Sequence, residues 1–180
     1  MNVVEAKNLR YPIGEFIVPE SISQNEIDSY MEIISSFPEK LKSVVSELSA
    51  DKLNTHYREG GWTVKQVVHH LADSHMNAFI RFKLALTEDI PTVKPYFEDR
   101  WAELEDGNSD DINLSLTLLE VLHKKWHVLM KSMSEEDFEK SFFHPEYGRE
   151  FKLKEITAQY SWHCEHHFAH IIELLKRKGW

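Results

Sequence analysis

Apolar residues recur at three- and four-residue intervals through four long stretches of the chain, a spacing that predicts four amphipathic helices. The first opens at Ser23-Gln-Asn-Glu26, which has capping-box spacing, and extends to about Ser49 with a break or kink at Pro38. The second opens at another capping box, Thr63-Val-Lys-Gln66, and runs to Leu86 or Thr87. Its residues Val64, Val67, Val68, Leu71, Ala78, Phe82 and Leu86 share one apolar arc. The third spans roughly 112–133, with a stripe centred near Leu122, Leu129 and Met133. The fourth spans about 154–177 and carries Ile156, Tyr160, Cys164, Phe168, Ile171 and Leu175 on one face, with Gly179 placed as a C-cap.

The intervening segments break these patterns. Residues 1–22 read as an extended, irregular lead-in punctuated by Pro12, Gly14 and Pro19. Residues 50–61 form a polar connection ending in Gly60-Gly61. Residues 88–111 form a long loop holding Pro91, Pro95, Tyr96, Trp101 and many acids; loops of this length inside a domain are commonly functional. Ser134-Glu-Glu-Asp137 caps a short helical turn, and 142–153 reads as a small hairpin or irregular loop. The expected fold is all-α: an antiparallel four-helix bundle with long connecting loops, in one domain spanning residues 1–180.

Charge and cysteine content narrow the function classes. A net charge of −9 without any Lys/Arg-rich run argues against a nucleic-acid partner. The single Cys164 excludes an intrachain disulfide framework and fits a reducing compartment. The start has no apolar signal core and no stretch is long enough to span a membrane, so a cytoplasmic location is expected.

Histidine changes the picture most. Seven of the eleven histidines fall in two helical stretches: His69, His70 and His75, and His163, His166, His167 and His170. Neutral imidazole is the commonest protein ligand for zinc and related ions, and two histidines four apart on a helix present both rings on one face. His163 and His167 are such a pair, at the edge of the last apolar stripe with His170 beside them. A third ligand from the second helix would leave open positions for catalysis. His75 projects into the apolar arc; His70 lies to one side with Ser74, Asn77 and Arg81; helical phase leaves the choice open. His69 is expected to face solvent. His123 and His127 repeat the four-residue spacing but flank their stripe, as surface residues or supports behind the ligands. Glu165 is misplaced for a zincin helix, and only Glu120-Val-Leu-His123 matches the two Glu-x-x-His pairs of a di-iron bundle.

Several motifs, taken in order, resemble a known family. Tyr11-Pro-Ile-Gly-Glu-Phe, Tyr57-Arg-Glu-Gly-Gly-Trp-Thr, Gln66-Val-Val-His-His-Leu-Ala-Asp-Ser-His-Met-Asn, Arg81-Phe-Lys-Leu-Ala-Leu-Thr-Glu and Trp162-His-Cys-Glu-His-His-Phe-Ala-His-Ile are similar to the YfiT branch of the DinB-like superfamily. The resemblance runs from Tyr11 to Trp180. It implies a bacterial four-helix bundle, cytoplasmic and homodimeric, acting as a metal-dependent hydrolase. It implies His70, His163 and His167 as ligands of one divalent metal per subunit, zinc or nickel, with water in the remaining positions. Cys164 departs from the small residue common in relatives; its phase turns it toward the core and away from a ligand role.

Three functions are compatible with such a site. In the first, a metal held by three neutral histidines activates water and hydrolyses a small-molecule substrate. Asp73, Asn77 and His170 are the candidate catalytic groups that would orient a ligand or move a proton. In the second, the metal binds a low-molecular-weight thiol of the bacillithiol type for S-transfer, with Arg81 or Arg58 holding its carboxylates. The third is a non-enzymatic metal-binding stress protein, whose site would be closed by a fourth protein ligand.

Overall fold

The structure is a computed structural model that describes residues 9–180. The expectation for residues 1–8 falls outside these described residues. Four long helices are present: α1 (Gln24–Val45), α3 (Val64–Thr87), α5 (Asn113–Lys131) and α7 (Leu153–Lys178). Short helices α2 (Ala50–Leu53), α4 (Glu98–Trp101) and α6 (Glu135–Glu139) sit in the connections. Strands β1 (Ser141–His144) and β2 (Arg149–Lys152) form one antiparallel hairpin, pairing Phe142 with Phe151. No described helix is long and apolar enough to cross a membrane.

The helix ends follow the capping chemistry. Ser23 accepts from the backbone of Glu26 while Glu26 reaches back, and Thr63 and Gln66 do the same for α3. Ser134 caps α6 on Asp137. Gly179 closes α7 in the left-handed conformation at φ 66°, where a side chain would be strained. Pro38 lies inside α1, which runs through it without ending.

Around the bundle α1 packs on α7 and α5, and α3 packs on α5 and α7, so the sequential pair α1 and α3 are diagonal. Helices α3 and α7 pair antiparallel: His70 lies beside His167, and Ser74 beside Tyr160. Helices α3 and α5 run in the same direction, since His69 meets Ser115, His75 meets His123 and Phe82 meets Trp126. Parallel neighbours need a long return, which the 88–111 segment supplies. That segment is a built wall. Val93 donates to the Phe143 carbonyl and Phe143 to the Pro91 carbonyl, each at 3.0 Å. Gly107 passes so close to the Trp101 carbonyl that a Cβ would sit 2.5 Å from it.

The core is centred on Phe37, Phe82, Trp126, Leu71, Leu119 and Ile171, all fully enclosed. On α5 the buried row is Leu116, Leu119, Leu122, His123, Trp126 and Met130. This corrects the expected stripe: Leu129 and Met133 are only partly buried. A second apolar row on that helix, Leu114, Leu118, Val121 and Val128, stays exposed.

Candidate metal centre

Three imidazoles converge between α3 and α7. His70, His163 and His167 each offer a ring nitrogen, and the three lie within 4.8 Å of one another. One helical turn separates His163 from His167, and the antiparallel pairing brings His70 opposite both. The expected set is therefore assembled in space, with His70 rather than His75 at the convergence point. Glu165 points away and pairs with Lys40 at 2.7 Å, consistent with the absence of a zincin arrangement.

Burial keeps these rings uncharged. Desolvation, then repulsion from His166 and His170, lowers the His70 pKa to about 3. Desolvation likewise pushes His163 and His167 well below the usual histidine range, with the neighbouring rings adding to it. Three unprotonated nitrogens with no carboxylate among them are the donor set that a borderline divalent ion takes, so the residues fit such an ion.

The site forms the floor of a cavity of about 490 Å³. Trp62, Tyr96, Phe142, Phe151 and Tyr160 supply apolar wall, and Arg10, Arg81, Glu98, Asp99 and Glu146 supply charge. His70, Ser74 and Arg81 line it together, as their shared helical face predicts. The 88–111 loop contributes Pro95, Tyr96, Glu98 and Asp99, and the hairpin contributes Phe142, His144 and Phe151.

The other candidates are placed differently. Asp73 and Asn77 are not among the cavity-lining residues. Asn77 donates to the Asp73 backbone carbonyl at 2.9 Å. Desolvation and nearby Asp106 raise the Asp73 carboxyl to about 6. His170 lies behind His167, with their Nδ1 atoms 3.4 Å apart, and its Nε2 meets the Arg10 carbonyl at 3.0 Å. Arg58, unlike Arg81, does not line the cavity, and it donates to the Glu59 carbonyl.

His69 is a correction. It is 4% exposed and bonds Ser115 Oγ at 2.7 Å and the Ser109 carbonyl at 3.0 Å. The returning loop and the start of α5 close over the face that helical phase alone assigns to solvent. His123 is 1% exposed and bonds the Ile34 carbonyl and His75.

Sequence reasoning also missed the aromatic supports. The Tyr57-Arg-Glu-Gly-Gly-Trp turn lays Tyr57 flat on His170, ring centres 4.0 Å apart, and Trp62 against His70 at 4.5 Å. Gly60 takes the left-handed conformation at φ 63° that turns the chain between those two rings. Trp162 stacks on His166 at 4.3 Å. Aromatic residues flanking each histidine motif were the available signal.

The helix arrangement and the three convergent neutral imidazoles define a histidine-site four-helix bundle. The chain belongs to the DinB superfamily, whose family profile matches residues 34–171. It is similar to YfiT of Bacillus subtilis (strain 168), 47% identical over 173 residues that cover 96% of this chain and 97% of YfiT. A Bacillus cereus (strain 03BB102) relative, named as a candidate metal-dependent hydrolase, is 50% identical over 96% of this chain and 99% of its own. The solved structure of Bacillus subtilis YfiT matches with a TM-score of 0.94 at 47% identity, covering 96% and 99% of the two chains. That protein is described as a probable metal-dependent hydrolase with an unusual four-helix bundle topology. A mycothiol-dependent maleylpyruvate isomerase shares the fold at a TM-score of 0.62 and 16% identity, over 82% of this chain and 60% of its own.

Proposed function

We propose that this protein is a metal-dependent hydrolase of a small-molecule substrate, with His70, His163 and His167 holding one divalent ion, zinc in our reading. The observation that carries it is the convergence of three neutral imidazoles within 4.8 Å at the floor of a cavity of about 490 Å³. The names of relatives at 47–50% identity support the class.

His70, His163 and His167 would hold a divalent ion with its full charge, which would supply Lewis acidity toward a carbonyl or phosphoryl oxygen and bring the pKa of a bound water down to about 7. The chain's own residues do the rest. His70, His163 and His167 remain unprotonated at neutral pH because burial opposes their charging. Trp62 and Tyr160 wall the site and reduce access of bulk water. Arg10 and Arg81 bring guanidinium groups that bind an anionic part of the substrate and orient it toward the histidines.

The same two guanidiniums favour a second reading, S-transfer from a low-molecular-weight thiol whose carboxylates they would hold. Elemental analysis of untagged protein tests the shared premise: about one zinc or nickel per chain, lost in His167→Ala. Wild-type protein that neither carries nor takes up either ion rejects both readings. Turnover of ester, amide and phosphoester panels without added thiol supports hydrolysis. Turnover only with a bacillithiol-type thiol supports transfer.

A further inference from the structure

Behind the three convergent rings lies a second set of histidines that the proposed ligand set does not use. His163 Nδ1 is 3.1 Å from His75 Nε2. His75 Nδ1 is 2.7 Å from His123 Nε2. His123 Nδ1 is 2.6 Å from the carbonyl oxygen of Ile34. The chain of contacts takes one residue from each long helix: α7, α3, α5 and α1.

The origin of this chain is Pro38. In a helix the carbonyl of residue 34 accepts from the N–H of residue 38, and proline has none. Pro38 therefore frees the Ile34 carbonyl in the middle of α1. A buried carbonyl needs a donor, and His123 provides it. The sequence marked Pro38 as a helix breaker; in the fold it is the source of an inward-facing acceptor.

A carbonyl can only accept, so every proton along the chain is assigned. His123 carries its proton on Nδ1 and leaves Nε2 as an acceptor. His75 must then donate from Nδ1, which leaves its Nε2 as an acceptor. His163 must donate from Nδ1, and its lone pair is left on Nε2. A shorter chain has the same logic. The Arg10 carbonyl takes the Nε2 proton of His170, whose Nδ1 then accepts from His167 Nδ1. His167 is also left with its lone pair on Nε2.

We propose that these two carbonyl-anchored histidine relays fix the tautomers and ring orientations of His163 and His167, so that both present Nε2 to a divalent cation. His75, His123 and His170 are positioning residues. Ligand histidines generally donate their second nitrogen to a carbonyl, carboxylate or water. Here imidazoles fill that role, which keeps the buried layer uncharged. The inference rests on the ligand set proposed above, but its first test does not need the metal.

That test is long-range ¹⁵N–¹H NMR of histidine-labelled metal-free protein at neutral pH, which reads each ring's tautomer directly. The relays require Nδ1–H at His75, His123, His163 and His167, and Nε2–H at His170. Imidazole in water favours Nε2–H, so solvent-like rings give the opposite pattern for the first four. Nε2–H at His75 or His123 overturns the longer relay; Nε2–H at His167 overturns the shorter one.

The second test is zinc affinity by chelator competition, with folding checked by circular dichroism. His123→Leu removes both relay contacts and should weaken zinc about 10- to 100-fold, whereas His123→Gln, whose amide can donate to Ile34 and accept from His75, should stay within about threefold. A folded His123→Leu that binds zinc as tightly as wild type overturns the positioning role. Wild-type protein with the expected tautomers and no zinc uptake would instead reject the ligand assignment while leaving the relay intact.

Discussion

Two pairs of histidines share one spacing and have different fates. His163 and His167 on α7, and His123 and His127 on α5, are both four apart. The first pair meets His70 and faces the cavity. The second pair is split: His123 is enclosed against Ile34 and His75, while His127 is half-buried and its Nδ1 has no hydrogen-bond partner among the described residues. Spacing places two rings on one face of a helix, and the neighbouring helix decides what that face becomes. Across from α7 is a row of α3 holding His70, Ser74 and Arg81. Beside His123 are Phe37, Trp126 and the carbonyl that Pro38 releases.

The largest expected effect breaks this comparison at its root. His167→Ala should abolish stoichiometric zinc, since two imidazoles from a buried pocket bind far more weakly than three. His127→Ala should leave metal content unchanged. Elemental analysis of both variants checks the pair. Loss of zinc in His127→Ala with retention in His167→Ala would reverse the assignment of the two helices.

A second substitution separates burial from ligation. His69→Ala removes a side chain that is 4% exposed and bonds Ser115 and the Ser109 carbonyl. It should cost about 2 to 3 kcal/mol of stability through the cavity and the unpaired groups left behind. Zinc affinity should move by less than about threefold, because the His69 ring bonds Ser115 and Ser109 and none of the proposed ligand rings. Denaturant unfolding and chelator competition give the two numbers.

Stability should also fall with acid, for a reason that His123 shares with His70. Desolvation lowers His123 from 6.5 to about 4 and His70 from 6.5 to about 3. Their folded values lie below the unfolded ones, so the unfolded chain binds more protons between the two. Stability is therefore intact above about pH 6.5 and is lost as pH falls toward 4 and then 3. At pH 5 the His123 contribution alone is on the order of 2 kcal/mol. Melting of metal-free protein at pH 7 and pH 5 checks the sign, and His123→Gln should flatten the dependence. A metal-free protein more stable at pH 5 than at pH 7 would contradict neutral burial of these rings.

These outcomes bear on what the sequence makes legible. The helices were readable because Ser23 with Glu26 and Thr63 with Gln66 satisfy orphan backbone groups locally. The row of His70, Ser74 and Arg81 was readable because it follows from helical period alone. The choice of face on α5 was not. Leu114, Leu118, Val121 and Val128 form an apolar row as regular as the buried one, yet they are 41–71% exposed. Only the identity of the packing partners decides between two such rows. His69 failed for a similar reason, since a loop forty residues away in sequence covers it. His75 and His123 are polar groups in a core position. No pattern of hydrophobicity announces that a proline on another helix has left a carbonyl to receive them.

The smallest expected effect probes the aromatic supports that the α7 pair has gained. A Cβ at Gly61 would lie 2.7 Å from Arg58 Cγ and 3.1 Å from the Tyr57 ring. Tyr57 stacks on His170, and Trp62, the next residue after Gly61, packs against His70. Gly61→Ala must push Tyr57 or the turn aside by several tenths of an ångström, at a cost of about 1 kcal/mol. The disturbance should reach His170 first and, through it, the ring of His167, a proposed ligand. Zinc affinity should then fall by about threefold, while the imidazole resonances of His75 and His123 stay in place. Shifts confined to His75 and His123, with His170 unmoved, would mean that the turn acts on the α5 side of the bundle. The stacked Tyr57 would then be packing alone, without a part in holding the α7 histidines.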